Sequence, residues 1–402
     1  MTESWQTAVL LQSDSGARAI GLGTQSVLWS DASVFLSHSE AGGNTLLFAL
    51  TEYASQLARS VSFENPLELL NELFDPVYDY GKKITDHSSL RKTFVLNALV
   101  PVDNAAWLLY AQEKGVASFD DMIPQTYRRV LSYRHKKLAS IPLMSYAVPV
   151  SEIEKAVSEG YFFMKIKIGQ PGTQQEMLEK DKARIKEIHA AIGHLPTEYT
   201  ENGKIPYYFD ANGRYEKKET LQKLLDHAAK IGAFDQIAII EEPFPEEYEA
   251  DVSDLGVRIA ADESAHTDRD AAKRIEMGYQ AIALKAIAKT LSMTLKVAAV
   301  AHEKNIPCFC ADLTVSPILV DWNKNVAARL APFPGLELGL LETNGHQNYK
   351  NWQQMISYHP VAGAGWMKTQ RGLFHLNADF YEKSGGIFMP SKHYQELFRF
   401  GF

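Results

Sequence analysis

Eight short apolar runs, alternating with longer stretches of helical composition, occupy the chain from about residue 141 onward. The runs span residues 143–148, 162–168, 207–210, 237–241, 257–261, 281–285, 306–310 and 336–341. Parallel strands that are covered by helices on both faces have this near-continuous apolar character. Eight βα units are the number that closes a barrel. The sequence therefore predicts an α/β fold, a (β/α)8 TIM-like barrel over residues 141–365.

The flanking regions have a different pattern. Residues 7–11 and 17–23 enclose a turn-rich Ser13-Asp14-Ser15-Gly16 stretch, which is typical of a β-hairpin, and helical stretches follow as far as Tyr133. We therefore predict an α+β domain over residues 1–140. Residues 366–402 are too few to form a core of their own, and we expect them to pack back on the N-terminal domain.

The composition excludes several classes of function. Hydrophobic residues make up 46% of the chain and charged residues 22%, which is ordinary for a globular protein. The net charge of −8 gives no positive field for nucleic acid or anionic lipid. Two cysteines, Cys308 and Cys310, are too few for a secreted disulfide framework, and no signal peptide or membrane span is evident. We expect a cytoplasmic homo-oligomer that binds a small molecule.

Two lysines interrupt the second apolar run. In the sequence Met164-Lys165-Ile166-Lys167, the two-residue period of a strand places the lysines on the face opposite the apolar residues. The apolar residues face the helices, so we predict that Lys165 and Lys167 point into the barrel near its C-terminal mouth.

The next four runs each end in a charged residue. The first three end at the carboxylates Asp210, Glu241 and Asp262, and the fourth ends at Lys285, each about one βα unit after the previous one. Carboxylates that converge at a barrel mouth repel one another unless a cation compensates them. A hard divalent cation with oxygen ligands fits this role, so we predict Mg²⁺, with Mn²⁺ as an alternative.

A metal ion beside buried lysines favours carbon-acid chemistry. The metal stabilises an enediolate formed from a substrate carboxylate, while a lysine removes the α-proton.

The ordered set of motifs resembles the enolase superfamily, specifically its muconate-lactonizing-enzyme-like subgroup. The motifs are Lys165-x-Lys167, Asp210-x-Asn212, Glu241-Glu242-Pro243, Asp262-Glu263 and Lys285. The resemblance implies a modified barrel with an N-terminal α+β capping domain, and Mg²⁺ bound by Asp210, Glu241 and Asp262. It also implies that Lys167 and Lys285 are acid/base groups on opposite substrate faces, that Lys165 assists electrostatically, and that Glu263 is a partner of Lys285.

The sequence departs from the family at three places. Few residues precede the first predicted strand, so we expect residues 27–44 or a neighbouring subunit to close the pocket. Where the family often has Lys-x-Gly-Gly, this chain has Lys289-Thr290-Leu291-Ser292. Dipeptide epimerases of the subgroup carry Asp-x-Asp at the eighth strand to hold the substrate ammonium, and here the match is Glu342-Thr343-Asn344. We expect Glu342 and Asn344, together with Asn212, to contact the substrate, and a loop role for Glu342 stays open.

The resemblance implies an isomerase that epimerises or racemises a dipeptide or an N-acyl amino acid. Two alternatives stay open: β-elimination or cycloisomerisation, as in o-succinylbenzoate synthase or muconate cycloisomerase, and a non-catalytic barrel that binds a small carboxylate. The mandelate-racemase type uses a histidine on the seventh strand, and residues 306–312 contain none.

Overall fold

A computed structural model describes residues 3–398 of the chain. It opens with an antiparallel hairpin of β1 (Trp5–Gln12) and β2 (Arg18–Gln25), in which Trp5 pairs with Gln25 and Gln12 with Arg18. The predicted hairpin is therefore confirmed.

Six helices follow the hairpin and complete the N-terminal α+β region. They are α1 (Val27–Ser30), α2 (Ala32–Ala58), α3 (Pro66–Thr85), α4 (Lys92–Lys114), α5 (Phe119–Met122) and α6 (Gln125–Arg128). The longest apolar helix, α4, has the length and hydropathy of a membrane span, but 89% of that window is buried inside the protein, as in a core helix. A Cβ on Gly21 of β2 would lie 2.0 Å from the Pro101 carbonyl oxygen of α4, so glycine lets the hairpin pack directly on this helix.

The rest of the chain contributes a curved sheet whose central strands are parallel and consecutive. These strands are β3 (Lys137–Ile141), β4 (Leu143–Met144), β5 (Met164–Lys167), β6 (Tyr207–Asp210), β7 (Ile237–Glu241), β8 (Ile259–Ala261), β9 (Ala281–Leu284), β10 (Cys308–Cys310) and β11 (Gly339–Glu342). Because β3 pairs with β11 and β4 pairs with β5, the chain from Lys137 to Met144 closes the sheet into a barrel.

The first barrel strand differs from its prediction. It begins at Lys137 rather than at residue 143, and residues 145–148 are not part of it. Pro142 separates β3 from β4, because proline has no N–H to donate to a neighbouring strand. Its carbonyl still accepts a hydrogen bond from the Lys165 backbone N–H at 3.0 Å, so the strand continues past it.

Helices connect the barrel strands as the sequence predicts. They are α7 (Val150–Ser158), α8 (Gln174–Ile192), α9 (Lys218–Lys230), α10 (Asp268–Glu276), α11 (Leu291–Glu303) and α12 (Pro317–Ala327). Short 3₁₀ helices at Phe234–Gln236 and Ser253–Leu255 precede β7 and β8. The predicted α/β barrel with an N-terminal α+β region is confirmed.

The C-terminal segment contacts both parts of the protein. Its elements are α13 (Gly345–Asn348), α14 (Trp352–Ser357), β12 (Thr369–Gln370), β13 (Leu373–His375), α15 (Ala378–Lys383), α16 (Lys392–Glu396) and 3₁₀ helices at Gly365–Met367 and Ser384–Gly386. β13 pairs antiparallel with β3, and the Phe119 backbone N–H of α5 donates to Ser384 Oγ at 2.8 Å. The predicted domain boundaries, between residues 140 and 141 and between residues 365 and 366, stay predictions.

Candidate active site

Strand register brings the charged strand ends to one level at the C-terminal mouth of the barrel. Lys167 of β5 pairs with Asp210 of β6, and Asp210 pairs with Glu241 of β7. Asp262 directly follows β8, and Lys285 directly follows β9. These three carboxylates and Lys285 therefore stand at the ends of four consecutive strands, and all four residues are buried.

Lys165 lies at the centre of this group. Its Nζ is 2.7 Å from Glu241 Oε1, 3.0 Å from Asp210 Oδ2 and 3.2 Å from Glu342 Oε2. Burial by itself lowers the pKa of this lysine, but the three carboxylates hold its pKa well above the ordinary value. The surroundings of Lys165 therefore favour its ammonium form, which compensates the carboxylates around it.

Lys167 lies nearer to solvent, with 17% of its side chain exposed. Its Nζ donates to Asp210 Oδ2 and to Asn212 Oδ1, both at 2.5 Å. The Asn212 amide in turn donates from Nδ2 to Glu263 Oε1 at 2.8 Å, which links the two sides of the mouth. The predicted residues Lys167, Asn212 and Glu263 therefore form one hydrogen-bonded chain.

Lys285 contacts Asp262 and a residue of the N-terminal region. Its Nζ forms an ion pair with Asp262 Oδ2 and lies 4.2 Å from the centre of the Trp29 ring of α1. Burial by itself lowers the pKa of Lys285, but the charge of Asp262 holds that pKa above the ordinary value. Trp29 belongs to the 27–44 segment that we expect to cover the pocket.

Two carboxylates of the site have opposite pKa shifts. Burial alone would raise the pKa of Asp210, but Lys165 and Lys167 lower it to about 2. Burial raises the pKa of Glu241 to about 8: the charges of Asp262 and Glu263 add to this effect, whereas Lys165 and Lys285 oppose it. The two carboxyl groups therefore differ because two lysines contact Asp210, whereas burial dominates at Glu241.

A group of three carboxylates is arranged as a metal ion requires. Oxygen atoms of Glu241, Asp262 and Glu263 all lie within 4.8 Å of one another, and Glu263 Oε2 has no protein partner. Two of these residues are predicted ligands, whereas the third predicted ligand, Asp210, is held by the two lysines of β5. Carboxylate oxygens are the donors that Mg²⁺ prefers, so this donor set fits the predicted ion.

The end of β11 carries the predicted substrate contacts Glu342 and Asn344, which hydrogen bond to each other at 3.3 Å. Asp312, which follows β10 by two residues, lies beside them: its Oδ2 accepts from the Asn344 backbone N–H at 2.8 Å. Burial and the Glu342 charge raise the pKa of Asp312 to about 7. This side of the mouth therefore holds two neighbouring buried carboxylates, of which Glu342 is the one that contacts Lys165.

Four residues of the site are absent from the predicted set: Trp29, Tyr208, Lys289 and Asp312. Tyr208 OH donates to Glu241 Oε2. Tyr208 lies two residues before Asp210 on β6, so the two-residue period of a strand places both side chains on the inward face, and the sequence could have identified Tyr208 in this way. Lys289 stood out in the sequence only as a departure from the family pattern.

A family model described as Enolase C-terminal domain-like matches residues 149–359. None of the curated proteins compared with the chain matches it.

Several solved structures share the fold. The chain is 17% identical to a dipeptide epimerase from Enterococcus faecalis V583, complexed with Mg and L-Leu-L-Tyr, with a TM-score of 0.58 over 92% of this chain and 89% of that one. A dipeptide epimerase from Cytophaga hutchinsonii, complexed with Mg and D-Ala-L-Val, is 17% identical with a TM-score of 0.61, covering 86% and 80%. An N-succinyl Arg/Lys racemase from Bacillus cereus ATCC 14579 is 16% identical with a TM-score of 0.59, covering 92% and 85%.

Proposed function

The chain belongs to the enolase superfamily, and from this membership we propose that it removes the α-proton of a substrate carboxylate with the help of Mg²⁺. The reaction that we propose is a 1,1-proton transfer that epimerises a dipeptide or racemises an N-acyl amino acid. The protein is then a racemase or epimerase.

The observation that carries this proposal is the pair of lysines on opposite sides of the barrel. Lys167 ends the second barrel strand and Lys285 follows the sixth, so three strands lie between them on each side of the eight-stranded barrel. A substrate held between them presents one face to each lysine. The lysine that is a neutral amine takes the α-proton, and the opposite lysine, as an ammonium, delivers its own proton to the other face, which inverts the α-carbon.

Glu241, Asp262 and either Asp210 or Glu263 would hold the ion. When bound, Mg²⁺ supplies the positive charge that stabilises the substrate carboxylate as its α-proton leaves. Lys165 keeps its proton and adds a fixed positive charge beside the same carboxylates. Lys285 can act as a base once its contact with Asp262 is broken, because Asp262 is the carboxylate that raises the pKa of Lys285 most.

Support for an amino-acid substrate comes from the β11 side of the mouth. Glu342 and Asp312 are two neighbouring buried carboxylates, and among the described residues Lys165 forms an ion pair with Glu342 but not with Asp312, so this side can accept a further positive charge. A free α-ammonium of a dipeptide fits that requirement. The related folds include two dipeptide epimerases and an N-succinyl amino acid racemase, which supports the same substrate classes.

The test is solvent exchange in D₂O. Purified protein with Mg²⁺ is incubated with panels of dipeptides and N-succinyl amino acids, and products are followed by mass spectrometry and chiral chromatography. We expect a gain of one mass unit at the α-carbon together with inversion, and loss of both in excess chelator.

Two results would change the conclusion. Product with a lost water or a rearranged skeleton, and no inversion, would replace our proposal with elimination or cycloisomerisation. Binding of these carboxylates without any exchange would identify a non-catalytic barrel. A cytoplasmic location and a homo-oligomeric state are further parts of the proposal.

A further inference from the structure

Lys289 is a buried lysine whose hydrogen-bond partners all belong to one turn. Its Nζ donates to the Asp262 backbone oxygen at 2.5 Å and to the Ala265 backbone oxygen at 3.0 Å, and it lies 3.4 Å from Asp262 Oδ1. An ammonium group has three N–H donors, so these three acceptors account for all of them.

The turn from Asp262 to Ala265 carries two of the three clustered carboxylates, Asp262 and Glu263. On one side, Glu242 Oε2 accepts from the backbone N–H groups of Asp262 at 2.8 Å and Ser264 at 3.2 Å. Lys289 binds the carbonyl oxygens at the two ends of the same turn. The turn is therefore fixed through its donors by Glu242 and through its acceptors by Lys289.

Lys289 and Lys285 approach Asp262 as a connected pair. The Lys289 backbone N–H donates to the Lys285 carbonyl at 2.8 Å, so both lysines lie on one turn between β9 and α11. Lys285 contacts Asp262 Oδ2, whereas Lys289 lies on the side of Oδ1 and the backbone. When Oδ2 leaves Lys285, Lys289 still holds the residue from the other side.

We propose that Lys289 is a positioning residue that keeps the Asp262–Ala265 turn in place while Lys285 is released for proton transfer. Its link to proton transfer rests on the proposed function. Placing a charge in the interior is unfavourable unless it is hydrogen-bonded. A lysine at this position is therefore explained by the three acceptors of the turn that its ammonium group binds.

Two variants separate the donor role from the charge. Lys289→Met removes the charge and all donors, whereas Lys289→Gln removes the charge and keeps two N–H donors. Lys324→Met is a matched control, because Lys324 is equally buried but pairs with Asp321 and the Trp366 carbonyl, away from the mouth.

The first readout needs neither metal nor substrate. Amide hydrogen exchange of a peptide spanning residues 262–266 is followed in chelator. We expect at least tenfold faster exchange in Lys289→Met, exchange within about threefold of wild type in Lys289→Gln, and no change in Lys324→Met. Wild-type exchange in Lys289→Met would overturn the proposal, and so would equally fast exchange in Lys289→Gln.

The second readout is Mg²⁺ affinity by calorimetry. We expect a Kd at least tenfold weaker in Lys289→Met, with most of the loss recovered in Lys289→Gln. Unchanged Mg²⁺ affinity in Lys289→Met would overturn the link between the turn and the metal. Altered amide exchange in a protein that turns over no carboxylate would instead refute the proposed function and leave the positioning role standing.

Discussion

Replacing Lys165 with Met tests whether one buried ammonium compensates the whole carboxylate cluster. The Lys165 side chain is only 4% exposed, and its Nζ contacts three carboxylates within 3.2 Å. Met has a similar length and no charge, so the Lys165→Met variant removes the compensation with little change in packing.

The size of the effect follows from the burial of these partners. Removing one partner of a buried ion pair costs about 3–5 kcal/mol, because the other charge is left uncompensated. At about 1.4 kcal/mol for each factor of ten, the unfolding equilibrium constant rises by roughly 10²- to 10⁴-fold.

Protonation of Glu241 makes this loss dependent on pH. Burial already raises the pKa of Glu241 to about 8, far above its ordinary 4.5, and without Lys165 it rises further. A raised carboxyl pKa contributes stability at low pH, which is lost as pH rises through the folded-state pKa. Above pH 8 the wild type no longer loses stability through Glu241, whereas the variant does, because its Glu241 has the higher pKa. The difference in unfolding free energy between wild type and variant therefore increases from pH 7 to pH 9.

The assay is denaturant unfolding in chelator at pH 7 and pH 9, repeated with Mg²⁺. Lys155→Met is the control, since Lys155 lies on the surface with 62% of its side chain exposed, and we expect its effect to stay within about 0.5 kcal/mol. Mg²⁺ should stabilise Lys165→Met more than wild type, because the carboxylates then lack their internal cation. A loss below about 1 kcal/mol in chelator, or a smaller gain from Mg²⁺ than wild type shows, would refute this reasoning.

Three further predictions concern catalysis, specificity and pH. Lys285→Ala should lose epimerisation but still exchange the α-proton of the one enantiomer whose hydrogen faces Lys167, and Lys167→Ala should show the reverse; exchange of both enantiomers in either variant contradicts the two-base assignment. Glu342→Gln should raise KM at least tenfold more for a free-amine substrate than for its N-acyl analogue, and an equal change would assign Glu342 to structure alone. Burial raises the pKa of Asp103 from 3.8 to about 6, so its contribution to stability falls as pH rises through that range, by about 3 kcal/mol in all. Asp103→Asn should therefore reduce the difference in unfolding free energy between pH 4 and pH 8 measured in chelator, and an unchanged difference counts against the shift.

The barrel strands could be predicted where local pattern and tertiary environment agree. The predicted limits 207–210 and 237–241 coincide with β6 and β7, because each is an apolar run that ends at a charged residue. The prediction for the first strand is wrong, because β3 pairs with β11 from the far end of the barrel sequence and Pro142 divides the strand into two short pieces.

The site could be predicted to the extent that its residues stand at strand ends. Asp210, Glu241 and Asp262 are regularly spaced in the sequence because each βα unit contributes one strand, and each of these residues stands at the end of one strand. Lys289 does not stand at a strand end: it follows Lys285 by one turn, and only the fold shows that its ammonium returns to Asp262. The role of Glu263 as a partner of Lys285 stays a prediction: its charge helps to raise the pKa of Lys285, and its carboxylate also lies beside those of Glu241 and Asp262.

The cover over the site comes from a part of the chain in which no motif shows its role. Trp29 reaches Lys285 because α1 follows directly after β2, and β2 packs on α4 through Gly21. A cation over an indole ring is stabilised by roughly 0.5–2 kcal/mol, so a substrate that approaches Lys285 competes with Trp29 for the same face of the ammonium. The charges that perform the proposed proton transfer therefore lie on the barrel, whereas the surface that a substrate meets above Lys285 belongs to the N-terminal region. For this reason the charged residues of the barrel can be identified from their regular spacing in the sequence, whereas the residues that shape the proposed substrate pocket can be identified only from the fold.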